Sequence, residues 1–371
     1  MPGIEDEIRA LEDEIRNTKY NKATSQHIGR LKAKIAKLKD DAVMRAIKSV
    51  GGGEGYAVKK SGDGTVVLVG FPSVGKSTLL NRLTGAESET GAYAFTTLTV
   101  VPGLMEYKGA KIQILDIPGL IAGAAMGKGR GKEVIAVVRT ADVIVILGDV
   151  FNAVHVDVLM RELYDSGIRI NRPKPDITIK KTTAGGVHLH TVGASRVNIE
   201  EVRAILAENK IMNADVLCRG KDITQDDIVD AMMGNRMYIP AFIAINKVDL
   251  ITPEQRKEVE THMREKYGVD PIMISAHATY NIDKLQDAIY DHLGFVRIYL
   301  KPYGHEADMD EPMIMRKGTK IEDICRRLHR DFVDQFRYAK IWGPSVKHDA
   351  AKVGLQHEVA DGDIVTIVTK L

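Results

Sequence analysis

The sequence predicts an α/β protein with a parallel central sheet, an inserted α+β unit and a β-rich C-terminal module. Three observations carry this. Short β-branched or apolar runs at Thr65–Val69, Lys111–Leu115, Val143–Leu147, Ala241–Ile245 and Ile272–Ile274 are separated by helical patterns, the signature of parallel strands and their crossovers. About ninety residues part the third run from the fourth, where a crossover needs roughly a dozen. The last stretch of about eighty residues changes character again, to strand-like runs around one helix.

Along the chain, Ile4, Ile8, Leu11 and Ile15 recur at helical spacing, as do Ile28, Leu31, Ile35 and Leu38. With Asn21–Ser25 as the connection, residues 1–60 read as a helical hairpin and a linker through Gly51–Gly53 and Gly55. Between Arg16 and Lys39 lie eight Lys/Arg and no Asp/Glu. Such a stripe suits a nucleic-acid backbone, which attracts cations without sequence readout, and equally suits a solvated helix face. The parallel-sheet domain is expected over residues 61–160 and 235–293, with the insert at 161–234. In the insert, Asp176–Lys181 and Val187–Val192 read as strands around the turn Ala184–Gly186. Ile199–Asn209 and Thr224–Met232 read as helices, with Ala214–Cys218 a short strand between them. In the terminal module, residues 294–371, Val296–Leu300, Met313–Arg316 and Ile364–Val368 are strand-like and Ile321–Leu328 is helical.

Composition excludes several classes. No apolar run approaches the ~18 residues of a membrane span, and Val134–Leu147 is broken by Arg139–Asp142. The acidic N-terminus, Met1–Ile15, has no apolar core of a secretory signal. Two Cys, Cys218 and Cys325, are too few for a disulfide scaffold or cysteine zinc site and fit buried thiols in a cytoplasmic protein. His188 and His190 alternate on one strand without nearby acidic or Cys partners, which points to a strand face rather than a metal pair. Phe336, Tyr338 and Trp342 are candidates for base stacking, with packing in the core of the terminal module as the expected role.

The chemistry is carried by four segments. Gly70-Phe71-Pro72-Ser73-Val74-Gly75-Lys76-Ser77, followed by Thr78, matches the phosphate-loop pattern between a strand and a helix. Its glycines let backbone N–H groups close around phosphate, and the positive end of the following helix points at the same anion. Lys76 would reach the β- and γ-phosphates and Ser77 would ligate Mg²⁺. Asp116-Ile117-Pro118-Gly119 ends the second run, with Asp116 placed to hold Mg²⁺ through water and the Gly119 N–H to contact a γ-phosphate. Asn246-Lys247-Val248-Asp249 follows the fourth run. There a carboxylate accepts from guanine N1–H and N2–H₂, a pattern adenine lacks. Asn246 would support the base edge and loop, and the Lys247 stem would lie over the ring. Ser275-Ala276-His277, after the fifth run, offers a backbone N–H to guanine O6.

In this order the four segments resemble the GTPase branch of the phosphate-loop NTPases. Tyr93-Ala94-Phe95-Thr96-Thr97-Leu98 would then be the first switch, with Thr97 binding Mg²⁺ and the γ-phosphate. The Phe-Thr-Thr-Leu string, Asp-Ile-Pro-Gly-Leu and Gly123–Gly131 resemble the Obg branch. The basic hairpin, insert and terminal module, in that order, resemble the developmentally regulated GTP-binding protein (DRG) family over essentially the whole chain. That resemblance implies a helical N-terminus, a GTPase domain carrying an insert similar to part of ribosomal protein S5, and a C-terminal β-grasp-like TGS domain, a module associated elsewhere with RNA or ribosome contact. It implies GTP/GDP and Mg²⁺ as ligands and, in some relatives, activating K⁺. The residue linked to K⁺ is Asn in those relatives and Ser73 here. Lys76, Thr97 and Gly119 are the expected catalytic set. Leu120 stands where Ras-like enzymes place a Gln, so slow intrinsic turnover is expected, raised by a partner, a cation or a rearranged switch. Arg130, in the second-switch segment Met126–Lys132, is a candidate internal arginine finger. The expected partner is the ribosome or another structured RNA, with a dedicated regulatory protein as the alternative and neither membrane nor DNA sequence readout expected.

Overall fold

The structure, a computed structural model, describes residues 4–49, 62–85, 101–117, 131–152, 154–193 and 195–370. Helices α1 (Ile4–Asn17) and α2 (Ser25–Ser49) form the hairpin, with Ile8, Leu11, Leu31 and Ile35 buried between them. The expected glycine linker lies outside the described residues. The core domain runs β1 (Gly64–Gly70), α3 (Lys76–Thr84), β2 (Val101–Tyr107), β3 (Ala110–Asp116), α4 (Gly131–Val138), β4 (Val143–Asp149) and α5 (Val154–Asp165). The chain next forms β5 (Ile168–Ile170), then the insert: β6 (Asp176–Lys181), β7 (Val187–Val192), α6 (Ile199–Glu208), β8 (Ala214–Arg219) and α7 (Gln225–Met233). It returns through β9 (Met237–Ile239) to β10 (Ala241–Asn246), α8 (Pro253–Tyr267), β11 (Ile272–Met273) and α9 (Ile282–Leu293). The terminal module holds β12 (Phe295–Leu300), β13 (Met313–Arg316), α10 (Ile321–Leu328), α11 (Asp331–Asp334), β14 (Phe336–Trp342), β15 (Ala351–Val353) and β16 (Asp363–Thr369).

The central sheet has the order β11-β10-β4-β1-β3-β2. All pairings are parallel except β2 with β3. Alternation divides its apolar residues between two layers. Val67, Val69, Ile144 and Ile146 pack with α4, α5 and α8; Val66, Leu68, Val143 and Val145 pack with α3 and α9. Strands buried within the sheet read as continuous apolar runs, which is why five of its six strands were legible. The antiparallel edge strand β2 was not, because Pro102, Gly103 and Glu106 interrupt its pattern.

Within the insert, β6 and β7 do not pair across their glycine turn. Both flank β8, in the order β6-β8-β7, antiparallel on one side and parallel on the other. The sheet packs α6 and α7 on one face, and Thr224 caps α7 in a reciprocal box with Asp227. A parallel pair, β5 with β9, brackets the insert.

The hairpin docks on this insert. Ala33 joins the insert core, the Gln225 side-chain amide donates to the Ser25 carbonyl at 3.0 Å, and a β-carbon on Gly29 would lie 3.2 Å from Ile205. The expected basic stripe is largely neutralised within the molecule. Arg16 pairs with Asp13, Lys32 with Asp226, Lys34 with Glu7, and Lys39 with both Glu12 and Asp165; Lys37 donates to the Glu208 carbonyl. Beneath these, Asp230 takes both Arg169 and Arg236, all three side chains under a tenth exposed. Arg236 also reaches Asp40 of α2, and Arg139, just past α4, donates to the Asn235 carbonyl.

The terminal sheet has the order β13-β12-β16-β14-β15. Its core lies on one face, beneath α10 and α11. Strands β14 and β15 were missed from sequence. Their alternation of Arg, Lys and aromatics leaves only Ala339 and Ile341 of β14 fully buried. Phe295 and Ile314 anchor the module to the core domain, and Arg316 pairs with Asp142 at 2.9 Å.

Candidate functional site

The site forms at the C-terminal ends of β1, β3, β4 and β10, where ligands bind in open α/β sheets. After β1 the chain makes a tight loop with Ser73 at φ 64° and Gly75 at φ 94°, two left-handed residues on either side of Val74 that curl the backbone N–H groups inward as an anion nest. Only glycine takes the Gly75 conformation without strain. α3 starts immediately after it, so its unpaired N–H groups face the same space. The Lys76 ammonium folds back over the loop and donates to the Gly70 and Phe71 carbonyls, both at 3.0 Å. Burial pushes its pKa below the ordinary lysine value, and the Asp116 carboxylate partly restores it.

The Ser77 hydroxyl donates to Asp116 Oδ2 at 2.7 Å, joining the start of α3 to the end of β3. Asp116 is 6% exposed, and its Oδ1 is buried without a hydrogen-bond partner. A buried carboxylate oxygen without a donor is costly, and a divalent cation or its water would satisfy it. The donor set, one hydroxyl beside one carboxylate at the mouth of a phosphate loop, fits Mg²⁺.

Asn246 ties three segments together. Its side-chain amide donates to the Val74 carbonyl at 2.8 Å and accepts from the Ala276 N–H at 2.9 Å, and the side chain is 3% exposed. The phosphate loop, the Asn246–Asp249 segment and the Ser275–His277 loop therefore meet at one residue. Lys247 sits at φ 66° and its ammonium lies 3.1 Å from Asp149. Asp249, on the single helical turn after it, is exposed toward solvent. The Ser275 hydroxyl accepts from the Ala278 N–H. Arg82, from the last turn of α3, donates to the Ala276 and His277 carbonyls at 3.1 and 3.3 Å.

The structure thus brings together Gly70, Phe71, Pro72, Ser73, Val74, Gly75, Lys76, Ser77, Thr78, Asp116, Ile117, Asn246, Lys247, Asp249, Ser275, Ala276 and His277 at one edge of the sheet. Pro118, Gly119, Leu120, the Tyr93–Leu98 segment with Thr97, and Arg130 lie outside the described residues. Three contributors were not anticipated. Asp149 is buried at the end of β4 and accepts from the Phe151 N–H besides pairing with Lys247; its place at the end of a buried parallel strand was the available signal. Arg82 braces the base-edge loop. His155 stacks on Phe71 at 4.2 Å between ring centroids; neither had a sequence signal. His188 and His190 are exposed on the open face of the insert, and no group of three metal-ligating side chains occurs among the described residues.

A phosphate loop, a carboxylate on the neighbouring strand and an Asn-Lys-x-Asp segment wired to that loop define a phosphate-loop GTPase domain. A family pattern described as "50S ribosome-binding GTPase" matches residues 65–181, "C-terminal region of MMR_HSR1 domain" matches 184–295, and "TGS domain" matches 296–369. The chain is 53% identical over 369 residues to an uncharacterised GTP-binding protein of Methanocaldococcus jannaschii, covering 99% of this chain and 93% of that one. It is 45% identical to developmentally-regulated G-protein 3 of Arabidopsis thaliana, covering 100% of both chains. It is also 45% identical to developmentally-regulated GTP-binding protein 1 of Xenopus laevis, again covering 100% of both. The chain belongs to the developmentally regulated GTP-binding protein family. Among solved structures, the YchF GTPase of Schizosaccharomyces pombe aligns over 84% of this chain and 99% of that one, at 13% identity and a TM-score of 0.46. No helix among the described residues is long and apolar enough to cross a membrane.

Proposed function

We propose that this protein is a cytoplasmic GTP-binding switch that hydrolyses GTP slowly with Mg²⁺ and acts on the ribosome or another structured RNA. The observation that carries the nucleotide part is the convergence on Asn246, which links the phosphate-binding loop to both segments that would read guanine. In this reading the loop N–H groups and Lys76 bind the phosphates. Ser77 and, through water, Asp116 hold Mg²⁺, which supplies charge neutralisation to the transferring phosphoryl group. Asp249 accepts from the guanine N1–H and N2–H₂, and the His277 N–H faces O6, the Ala276 N–H being held by Asn246. Thr97 and Gly119 sense the γ-phosphate, so that its presence orders both switches and its loss releases them. Leu120 has no group to orient water, which keeps intrinsic turnover slow. Ser73 has a hydroxyl able to ligate K⁺ in place of an arginine finger.

The RNA part rests on the TGS domain and on the match to a family described as ribosome-binding GTPases. The hairpin contributes less than its sequence suggests. Five of the eight cations in its stripe are engaged within the molecule, at Arg16, Lys32, Lys34, Lys37 and Lys39. The same observation favours a second reading, in which the hairpin and terminal module dock a regulatory protein.

GTP turnover with and without ribosomes, in KCl and in NaCl, with Ser77→Ala as the blank, tests the proposal. A basal rate well below ~1 s⁻¹, the scale of activated GTPases, that rises with ribosomes is the expected result. A faster basal rate refutes slow turnover, absence of stimulation refutes the ribosomal role, and equal rates in the two salts refute activation by K⁺.

A further inference from the structure

We propose that the open face of the terminal sheet, centred on Tyr338, Lys340 and Trp342 of β14, binds single-stranded RNA by base stacking. This rests on the RNA reading above and names the surface that would carry it. One face of the sheet is covered by α10 and α11, with Ala339 and Ile341 pointing into that core. The alternating residues Tyr338, Lys340 and Trp342 therefore point the other way. They were expected in the core of the module; Phe336 packs there, past an irregularity in register, but Tyr338 and Trp342 do not.

The register fixes their neighbours. On β16, Val368, Thr366 and Ile364 lie beside Tyr338, Lys340 and Trp342. On β15, Lys352 lies directly opposite Lys340. The Lys301 ammonium sits over the Trp342 ring at 4.9 Å, and the Lys352 ammonium over the Tyr338 ring at 4.9 Å. No Asp or Glu projects from this face of β14, β15 or β16. Two features make this arrangement unlike an ordinary solvated surface. Like charges placed directly opposite on a sheet repel, yet Lys340 faces Lys352 with no carboxylate from β14, β15 or β16 to separate them. Two half-buried rings also flank that pair, and four residues of strand hold them about 13 Å apart at ~3.3 Å per residue. A polyanion relieves the repulsion, and its bases find two aromatic faces on either side of the charge. Rings interleaved with cations on an open sheet form the general platform for single strands, tolerant of sequence because every base has a π-face.

The test uses the full chain and a fluorescein-labelled twelve-nucleotide oligouridylate, read by anisotropy across a salt series. Tyr338→Ala and Trp342→Ala are each expected to weaken binding by about 5- to 150-fold, while Trp342→Phe retains most of it. Lys340→Gln and Lys352→Gln are expected to lower the slope of log affinity against log salt by about 0.7 each. Hydrogen exchange of the terminal module's buried strands reports that each variant is folded, and basal GTP turnover, from a site in another domain, is expected to be unchanged. Binding within twofold of the parent in both ring variants, with ribosome-stimulated turnover intact, overturns the platform and leaves the ribosomal role standing. A parent that neither binds the oligonucleotide nor responds to ribosomes overturns the RNA reading and the platform with it. Equally tight, ring-dependent binding of polyglutamate overturns RNA as the ligand.

Discussion

Replacing Asn246 with Ala isolates the wiring of the nucleotide site from its direct ligands. The side chain makes two hydrogen bonds, at 2.8 Å to the Val74 carbonyl and 2.9 Å from the Ala276 N–H, and is 3% exposed. Alanine leaves both backbone groups without a partner. Each such group costs about 1–3 kcal/mol when water is kept from it. In the free protein, water can enter the space the side chain vacates and relieve part of that cost. A bound base closes over the same space and restores it. A penalty of about 2–4 kcal/mol therefore falls on the bound state, equivalent to roughly 30- to 1000-fold weaker nucleotide binding. Displacement of a fluorescent GDP analogue measures it, with circular dichroism confirming that the variant is folded. GDP affinity within threefold of the parent in a folded variant would refute the claim that Asn246 preorganises the site.

Further expectations follow from other contacts. Asp249→Asn should exchange preference from guanine to xanthine nucleotides, because an amide donates to the xanthine O2 where the carboxylate accepted from the guanine amine; unchanged preference in competition binding rejects Asp249 as the base reader. Asp230→Ala strands the buried Arg169 and Arg236 guanidiniums and should cost about 3–5 kcal/mol of stability in the hairpin–insert unit. Asp222→Ala removes an exposed partner of Arg196 and should cost under about 1 kcal/mol; denaturant titration with a probe in the insert compares the two, and equal costs refute the ranking. Burial pushes the Cys218 and Cys325 thiols up, so little thiolate is present near pH 8 and both should resist alkylation until the protein is unfolded. Mass spectrometry of the iodoacetamide-treated native protein gives the answer, and rapid labelling of either would contradict it.

The phosphate chemistry was legible because it is local: glycines, a lysine and a hydroxyl must follow one another for a backbone loop to close on phosphate. Strands β1, β4 and β10 were legible for a different reason, since burial on both faces leaves an unbroken apolar run. What sequence left hidden depends on partners far along the chain. The pairing of β6 and β7 with β8 rather than with each other is decided by a strand more than twenty residues away. The orientation of Trp342 follows from the register of β14 against β16, and β14 itself was disguised by its basic residues. The hairpin shows the same limit in charge. Eight cations without an acid in one stretch of chain read as a binding stripe, but their counter-charges sit on α1, α5 and α7. Arg82 and His155 act through contacts no local pattern encodes.

The seating of α2 bears on how the hairpin can be dissected. Gly29 and Ala33 let this helix approach the insert closely enough to share its interior, while Asp40 at the other end reaches Arg236 and the turn beyond α7. Cutting the hairpin away would bare apolar surface on α6 and α7 and orphan charges that were matched. A truncated protein that lost RNA binding would report damage to its neighbour as readily as loss of a contact. Reversal of charge at Lys19, Lys22 and Arg30, three exposed positions on the same stretch, leaves that seam closed and asks the question directly.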